Sequence, residues 1–279
     1  MTDKTPGRND LCYCGSGLKY KKCHLKADQQ KERDLRAWKE SGRFLRRSLP
    51  QFARDDRFAE DFAIALPLFW DNLYNLDNAE EMSQDEALRF FDWFVFDYEL
   101  AKGALAGQRL IQIYHAEKRE DLSSFQQETL DGWLTADPFN VYTLLGYEGQ
   151  TLQLADFMTG ETYEVFEATG RGIVDVGEVI LTRLVPVQDQ LEFSTSAAYL
   201  PAAEITDLKE KLEAAKTAYL AGHPDAAHAD FIRRHNTIMV HHALAEAKIQ
   251  KRPQVARLDP DRDDKKTQSV VRQMRRFKK

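Results

Sequence analysis

The sequence predicts an α+β protein: an N-terminal zinc knuckle, an aromatic-rich helical bundle, a small antiparallel β barrel or curled sheet, and C-terminal helices. Three observations predict it. All three cysteines of the 279 residues fall within positions 12–23, and His24 follows the last of them. Phe58, Phe62, Leu66, Phe69, Leu73 and Leu76 recur at helical spacing, as do the aromatic residues from Phe90 to Tyr98. Past Asp137-Pro138 the period shortens to the alternation of strands.

The cysteine segment supplies four zinc-type ligands, Cys12, Cys14, Cys23 and His24, as two close pairs separated by a turn. Tetrahedral Zn²⁺ takes such a donor set, with Zn–S near ~2.3 Å and Zn–N near ~2.0–2.1 Å. Four protein donors fill the shell and leave no position for reactive water, so the chemistry reads as structural Zn²⁺. A disulfide framework would leave one of three cysteines unpaired. Gly15 and Gly17 allow the backbone to reverse and aim amide groups at the thiolates.

The run from Asn9-Asp10-Leu11-Cys12-Tyr13-Cys14 through Gly15-Ser16-Gly17-Leu18-Lys19-Tyr20-Lys21-Lys22 to Cys23-His24 resembles the SEC-C zinc motif. That family pattern is Cys-x-Cys, a Gly-Ser-Gly turn, a Lys/Tyr-rich stretch, then Cys-Cys or Cys-His. Every ligand position matches. Leu11 and Tyr13 depart from it, because family members usually carry proline there. The resemblance covers roughly residues 7–26 and implies a knob that contacts a translocation chaperone or the ribosome. Lys19, Tyr20, Lys21 and Lys22 are the expected partner-binding face. The helical–barrel–helical order that follows also looks like the body of some SEC-C proteins.

The expected organisation is a knuckle over 1–26, a charged helical linker over 27–50, a bundle over 51–136 and a small barrel over 137–200. C-terminal helices over 201–252 and a linker with a basic amphipathic tail over 253–279 complete it. The linker helix has few apolar anchors, Leu35, Trp38 and Leu45, and Pro50 is expected to end it. Pro67 is expected to kink the next helix. Ser83 with Glu86, and Ser123 with Gln126, are capping-box starts. Gly103 and Gly107 break the helix that carries Phe90 to Tyr98, and another runs over about 108–118. Strands are expected over 139–145, 151–157, 161–167, 178–186 and 191–193, with Met158-Thr159-Gly160-Glu161 as a hairpin turn. Helices follow over 204–221 and 225–249, the first stopped by Gly222.

The net charge of −6 conceals a division along the chain. Residues 1–47 carry 13 Lys/Arg against 6 Asp/Glu, residues 265–279 carry 7 Lys/Arg and no acid, and residues 48–264 carry 19 basic against 39 acidic residues. Basic ends on an acidic body suit anionic partners. The rival to a protein-docking adaptor is therefore an RNA-binding protein that uses both ends, with Arg272, Arg275, Arg276 and Lys278 on phosphate. The same tail could lie on anionic lipid or dock a protein groove. No stretch is long enough for an integral membrane span, and residues 1–6 have no apolar leader, so a cytoplasmic location is expected.

No catalytic constellation emerges. Walker, Rossmann, zincin and nucleophile-elbow patterns are missing, and Gly170-Arg-Gly172 reads as a turn. Asp92 and Glu99 could share a helix face, with Asp97 elsewhere. His228, His235 and His242 recur every seven residues as a polar stripe, without the i,i+4 histidine pair that a shared metal needs. A non-enzymatic adaptor is the expectation.

Overall fold

Residues 6–166, 174–200, 202–205 and 207–249 are described by a computed structural model. The expected tail residues Arg272, Arg275, Arg276 and Lys278, and the turn Gly170-Arg-Gly172, lie outside them. The described chain is α+β, with eight α-helices and a curled seven-stranded sheet behind an N-terminal cysteine cluster.

Helix α1 (Leu25–Phe52) starts at the cysteine cluster and ends in the core. Its first turns are exposed, and Leu35 remains 45% accessible. Further along, Trp38 meets Phe125 edge-on at 5.0 Å, the Ser41 and Thr129 hydroxyls lie 2.6 Å apart, and Leu45 and Leu49 are buried. Pro50 does not end the helix. It lies in the last turn, where it removes the i→i−4 bond to the Arg46 carbonyl, yet the chain stays helical to Phe52.

Helices α2 (Ala59–Phe69), α3 (Gln84–Phe96), α4 (Leu110–Lys118) and α5 (Ser124–Leu134) build the aromatic core. Pro67 again sits in the final turn of its helix. Ser83 and Glu86 form the expected capping box of α3, and Ser123 with Gln126 that of α5. Helix α3 is buried nearly all round, from Phe90 to Phe96, as befits a central helix. The Phe90 and Phe94 rings stack at 5.5 Å, and Phe69 lies 5.1 Å from Trp93. Such pairs each add about 0.5–1.5 kcal/mol beyond area burial. The aromatic run is therefore core.

The sheet comprises β1 (Asn140–Glu148), β2 (Thr151–Asp156), β3 (Thr162–Phe166), β4 (Val179–Thr182), β5 (Leu184–Val187), β6 (Gln190–Phe193) and β7 (Ala198–Leu200). Its order is β5-β6-β3-β2-β1-β4-β7. Neighbours are antiparallel except β3 and β6, which meet in parallel at Val165 and Leu191. The stretch expected as one strand over 178–186 divides at Arg183: β4 lies next to one edge of the sheet while β5 forms the other. The sheet must therefore curl until its two edges approach. Tyr142, Leu144, Leu154, Val165 and Ile180 fill the inside of the curl, while Val141, Val179, Leu181 and Val185 face the helical core. In the β1–β2 register Leu145 is the extra residue, and it is 48% exposed.

Edge strand β5 is covered by helices, which removes a row of unpaired backbone groups from solvent. Two glycines make the approach possible. A Cβ on Gly42 of α1 would lie 3.2 Å from Val187 Cγ2, and one on Gly132 of α5 would lie 3.0 Å from Pro186 Cγ. Beside them the Trp133 indole N–H donates to the Pro186 carbonyl at 2.8 Å. Pro186 itself suits an edge, having no N–H to offer.

Where β4 passes into β5, Arg183 turns inward and is 1% exposed. Its Nε lies 3.1 Å from Asp92 Oδ2, its Nη2 2.7 Å from Asp97 Oδ2, and its Nη1 donates to the Asp137 carbonyl at 2.7 Å. Burial works against the cation, but Asp97 and Asp92 more than offset it and hold its pKa above the ordinary value. The carboxylates that the sequence leaves unorganised thus converge on one buried arginine.

Helices α6 (Leu208–Gly222), α7 (His228–His235) and α8 (Thr237–Ile249) close the core. The single helix expected over 225–249 is broken at Asn236. Its amide accepts from the Trp93 indole at 2.9 Å and donates to Asp97 at 2.7 Å, a buried position that a continuous exposed helix would not need. No helix among the described residues is long and apolar enough to cross a membrane.

Candidate metal centre

The knuckle is a short hairpin. Leu11 pairs with Lys19, the Cys12 N–H donates to the Leu18 carbonyl at 2.8 Å, and Gly15 and Gly17 take φ of 74° and 71°. L-side chains resist that region and glycine does not. Residues Tyr20–Lys22 make one 3-10 turn, which delivers Cys23, and His24 is the N-cap of α1.

This path brings the donor atoms of Cys12, Cys14, Cys23 and His24 within 4.8 Å of one another. The Cys12 and Cys23 sulfurs lie 3.1 and 3.2 Å from His24 Nδ1, and the Cys14 and Cys23 sulfurs are 3.5 Å apart. A tetrahedron with ~2.3 Å metal–sulfur bonds has edges of roughly 3.8 Å, so the four donors suit one ion. The cysteines are free thiols, and three soft sulfurs with one imidazole match Zn²⁺ chemistry.

The surroundings favour anionic sulfur. The Ser16 hydroxyl and then the Ser16 amide hold the Cys14 thiol down to about 6. Burial pushes Cys12 up, but the Cys14 amide and the His24 ring bring it below its ordinary value. The Ser16 hydroxyl lowers Cys23, while Cys14, burial and Cys12 together leave it raised. Three sulfurs this close resist joint ionisation, and a divalent cation removes that conflict.

Asp28, in the first turn of α1, fastens the knuckle to the helix. The Tyr13 hydroxyl donates to its carboxylate at 3.0 Å and the Tyr20 hydroxyl at 2.8 Å. Tyr13, which stands where the motif usually has proline, also lays its ring 5.0 Å from that of His24. The spacing of the ligands gives no hint of Asp28; two tyrosines ahead of a helix and a carboxylate in its first turn were the available signal.

The expected partner face needs one correction. Lys19, Lys21 and Lys22 are exposed, but Tyr20 is 3% exposed and committed to Asp28, so it cannot present its ring to a partner. Leu11, Tyr13 and Leu18 are instead 69%, 59% and 50% exposed on the same hairpin.

A second group, Asp207, His242 and Glu246, also brings its donors within 4.8 Å. It comes from a histidine–glutamate i,i+4 pair, a spacing that histidine positions alone do not reveal. Its charge requirement is already met from within: Lys211 Nζ lies 2.8 Å from Asp207 and 3.1 Å from His242 Nδ1. The other His242 nitrogen meets the Glu204 carbonyl at 2.7 Å. His223 and His235 stack on Tyr219 and Phe231 at 4.4 and 5.0 Å.

Comparison with known proteins divides the chain in two. Residues 8–26 match the SEC-C motif. Residues 68–231 match a family of unknown function (DUF7986), and with more than half its length matched the chain belongs to that family. Over 24 residues it is 71% identical to protein translocase subunit SecA of Pelodictyon phaeoclathratiforme (strain DSM 5477 / BU-1). It has the same identity to protein translocase subunit SecA of Chlorobium limicola (strain DSM 245 / NBRC 103803 / 6330). Each match spans 9% of this chain and 2% of the relative. No solved structure matches the chain.

Proposed function

We propose that the chain is a non-enzymatic adaptor whose N-terminal knuckle, organised by structural Zn²⁺, docks a macromolecular partner. The observation that carries this reading is the approach of three sulfurs and one imidazole nitrogen to within 4.8 Å, on a segment matching the SEC-C motif. Cys12, Cys14, Cys23 and His24 hold the ion. Lys19, Lys21 and Lys22 with Leu11, Tyr13 and Leu18 supply a cationic and apolar docking surface. Such a surface suits an acidic protein partner, and the SecA match supports a setting in protein translocation. The ribosome is the other partner that the motif's family implies.

Metal analysis of the purified chain tests the first step. One zinc per chain is expected in the wild type and none in Cys23→Ser, with the body's melting transition retained. Capture of the partner at two salt concentrations tests the second. Retention that depends on Cys23 and survives higher salt supports the adaptor; retention of RNA that falls steeply with salt in both proteins overturns it.

A further inference from the structure

A cleft of about 830 Å³ opens between α1, α3 and the β6–β7 side of the sheet, well away from the cysteine cluster along α1. That volume lies within the range of small-molecule sites, roughly 300–1,000 Å³. Its α1 wall carries Lys39, Arg43, Arg46 and Arg47, whose spacing of four, seven and eight residues places them on one helix face. Two carboxylates, Asp92 and Glu192, also line the cleft. Both are already matched: Asp92 by Arg183 at 3.1 Å, and Glu192 by Arg46 at 2.8 Å. Arg47 is paired with Glu40 at 2.8 Å. Arg43 approaches Glu40 only at 3.9 Å, and no carboxylate among the described residues pairs with Lys39. Two cations thus face the cleft with little internal compensation.

The opposite wall is rich in donors. Ser194, Thr195 and Ser196 form the β6–β7 connection. Arg46 binds the carbonyls of Phe193 and Ser194, and Arg89 binds those of Ser196 and Ala197. Both arginines therefore fix the loop through its acceptors. Among the described residues, no backbone carbonyl accepts from the N–H groups of Thr195 and Ser196, whereas the Ser196 hydroxyl donates to Asp85 at 3.0 Å. The rim also offers flat apolar surface, with Phe166 and Tyr199 half-buried and the Lys39 ammonium 6.0 Å from the Phe166 ring.

We infer that this cleft binds a small organic phosphate with a flat apolar body, a nucleoside phosphate being the simplest example. Lys39, Arg43 and the Thr195–Ser196 donors hold the phosphate, and Phe166 and Tyr199 receive the ring. Cations and backbone donors converging on one opening are the usual means of anion recognition, and aromatic faces accept a nucleobase with little selectivity. The inference is independent of the metal centre.

Isothermal titration of the full chain with ADP, UDP, pyrophosphate and adenosine tests it, beside the double variant Lys39→Gln/Arg43→Gln. Both substituted residues are exposed, so the variant should melt as the wild type does. The expected result is binding of ADP or UDP, at least tenfold weaker binding of pyrophosphate and of adenosine, and a further tenfold or greater loss in the variant. Each charged hydrogen bond removed accounts for about that factor. No binding at millimolar concentration, an unchanged affinity in the variant, or pyrophosphate binding as tightly as the nucleotides would each overturn the inference.

Discussion

Arg183 Nη2 lies 2.7 Å from Asp97 Oδ2, and both side chains are sealed from solvent. The pair ties the residue at which the strand crosses from one sheet edge to the other to the end of the central helix. Asp97 also receives the Phe139 amide at 3.1 Å and the Asn236 amide at 2.7 Å, so one carboxylate joins the helical layer, β1 and the break between α7 and α8. The knot is held through Asp97 Oδ2, which takes Arg183 and both amides, while among the described residues the buried Oδ1 has no hydrogen-bond donor and only Arg233 Nε at 3.9 Å.

Removing one member of the knot should therefore be severe. Arg183→Met is expected to cost about 3–5 kcal/mol, because it leaves Asp92 buried without its cation and Asp97 with only Arg233 Nε at 3.9 Å. Urea denaturation of the variant against the wild type checks it. A loss under about 1 kcal/mol would show that the carboxylates find other partners, since an ordinary neutral hydrogen bond contributes that much.

Gly42 sets how closely α1 meets the sheet edge. Gly42→Val places branched carbon where a single Cβ already lies 3.0 Å from Arg46 Nη1 and 3.2 Å from Val187. Overpacking of about 1–3 kcal/mol should exceed the gain of under about 1 kcal/mol from replacing glycine in a helix. A lower thermal midpoint, with helix content by circular dichroism unchanged at 25 °C, is the expected result.

Asp28 should act on the metal rather than on the body. Asp28→Ala removes the acceptor of both the Tyr13 and Tyr20 hydroxyls. Zinc release to a chromophoric chelator is expected to be about tenfold faster, the scale at which groups supporting the ligands act. The melting transition of the body should move little, because the first turns of α1 are exposed.

Arg119, followed by His115, holds the Asp131 carboxyl down to about 2. The folded value lies below the ~3.9 of an unfolded chain, so the contribution is present above that pH and disappears as pH falls through about 2. Asp131 is 42% exposed on its side chain, which keeps the effect under about 1 kcal/mol. The stability difference between wild type and Asp131→Asn should be level from pH 7 to 5 and shrink below pH 4. A difference that stays constant to pH 2 would contradict the ion pair.

The α+β layout and the cysteine cluster were legible in the sequence because they rest on local signals. Helix periodicity, the Ser83–Glu86 and Ser123–Gln126 boxes, and the ligand spacing are all short-range. What escaped depends on distant partners. Arg183 reads as one polar residue in a strand until Asp92 and Asp97 come to it across 91 and 86 residues. Asn236 reads as an ordinary helix residue until Trp93 and Asp97 claim its amide. Strand β7 is three residues long, too short for any period to register. Tyr20 reads as part of the expected partner-binding face until Asp28 draws it inward. Pro50 misleads because the sequence marks a proline without showing that the helix continues two residues beyond it.

The two halves of the molecule close on very different chain lengths. The longest sulfur–imidazole contact of the knuckle spans 12 residues, whereas Arg46 of α1 must wait for Phe193, 147 positions later. During vectorial synthesis the knuckle can be complete while its supporting helix still lacks the strands that bury it. A nascent chain of this kind would expose a finished N-terminal hairpin well before its own body exists, so the two parts need not mature in the order that the finished molecule suggests.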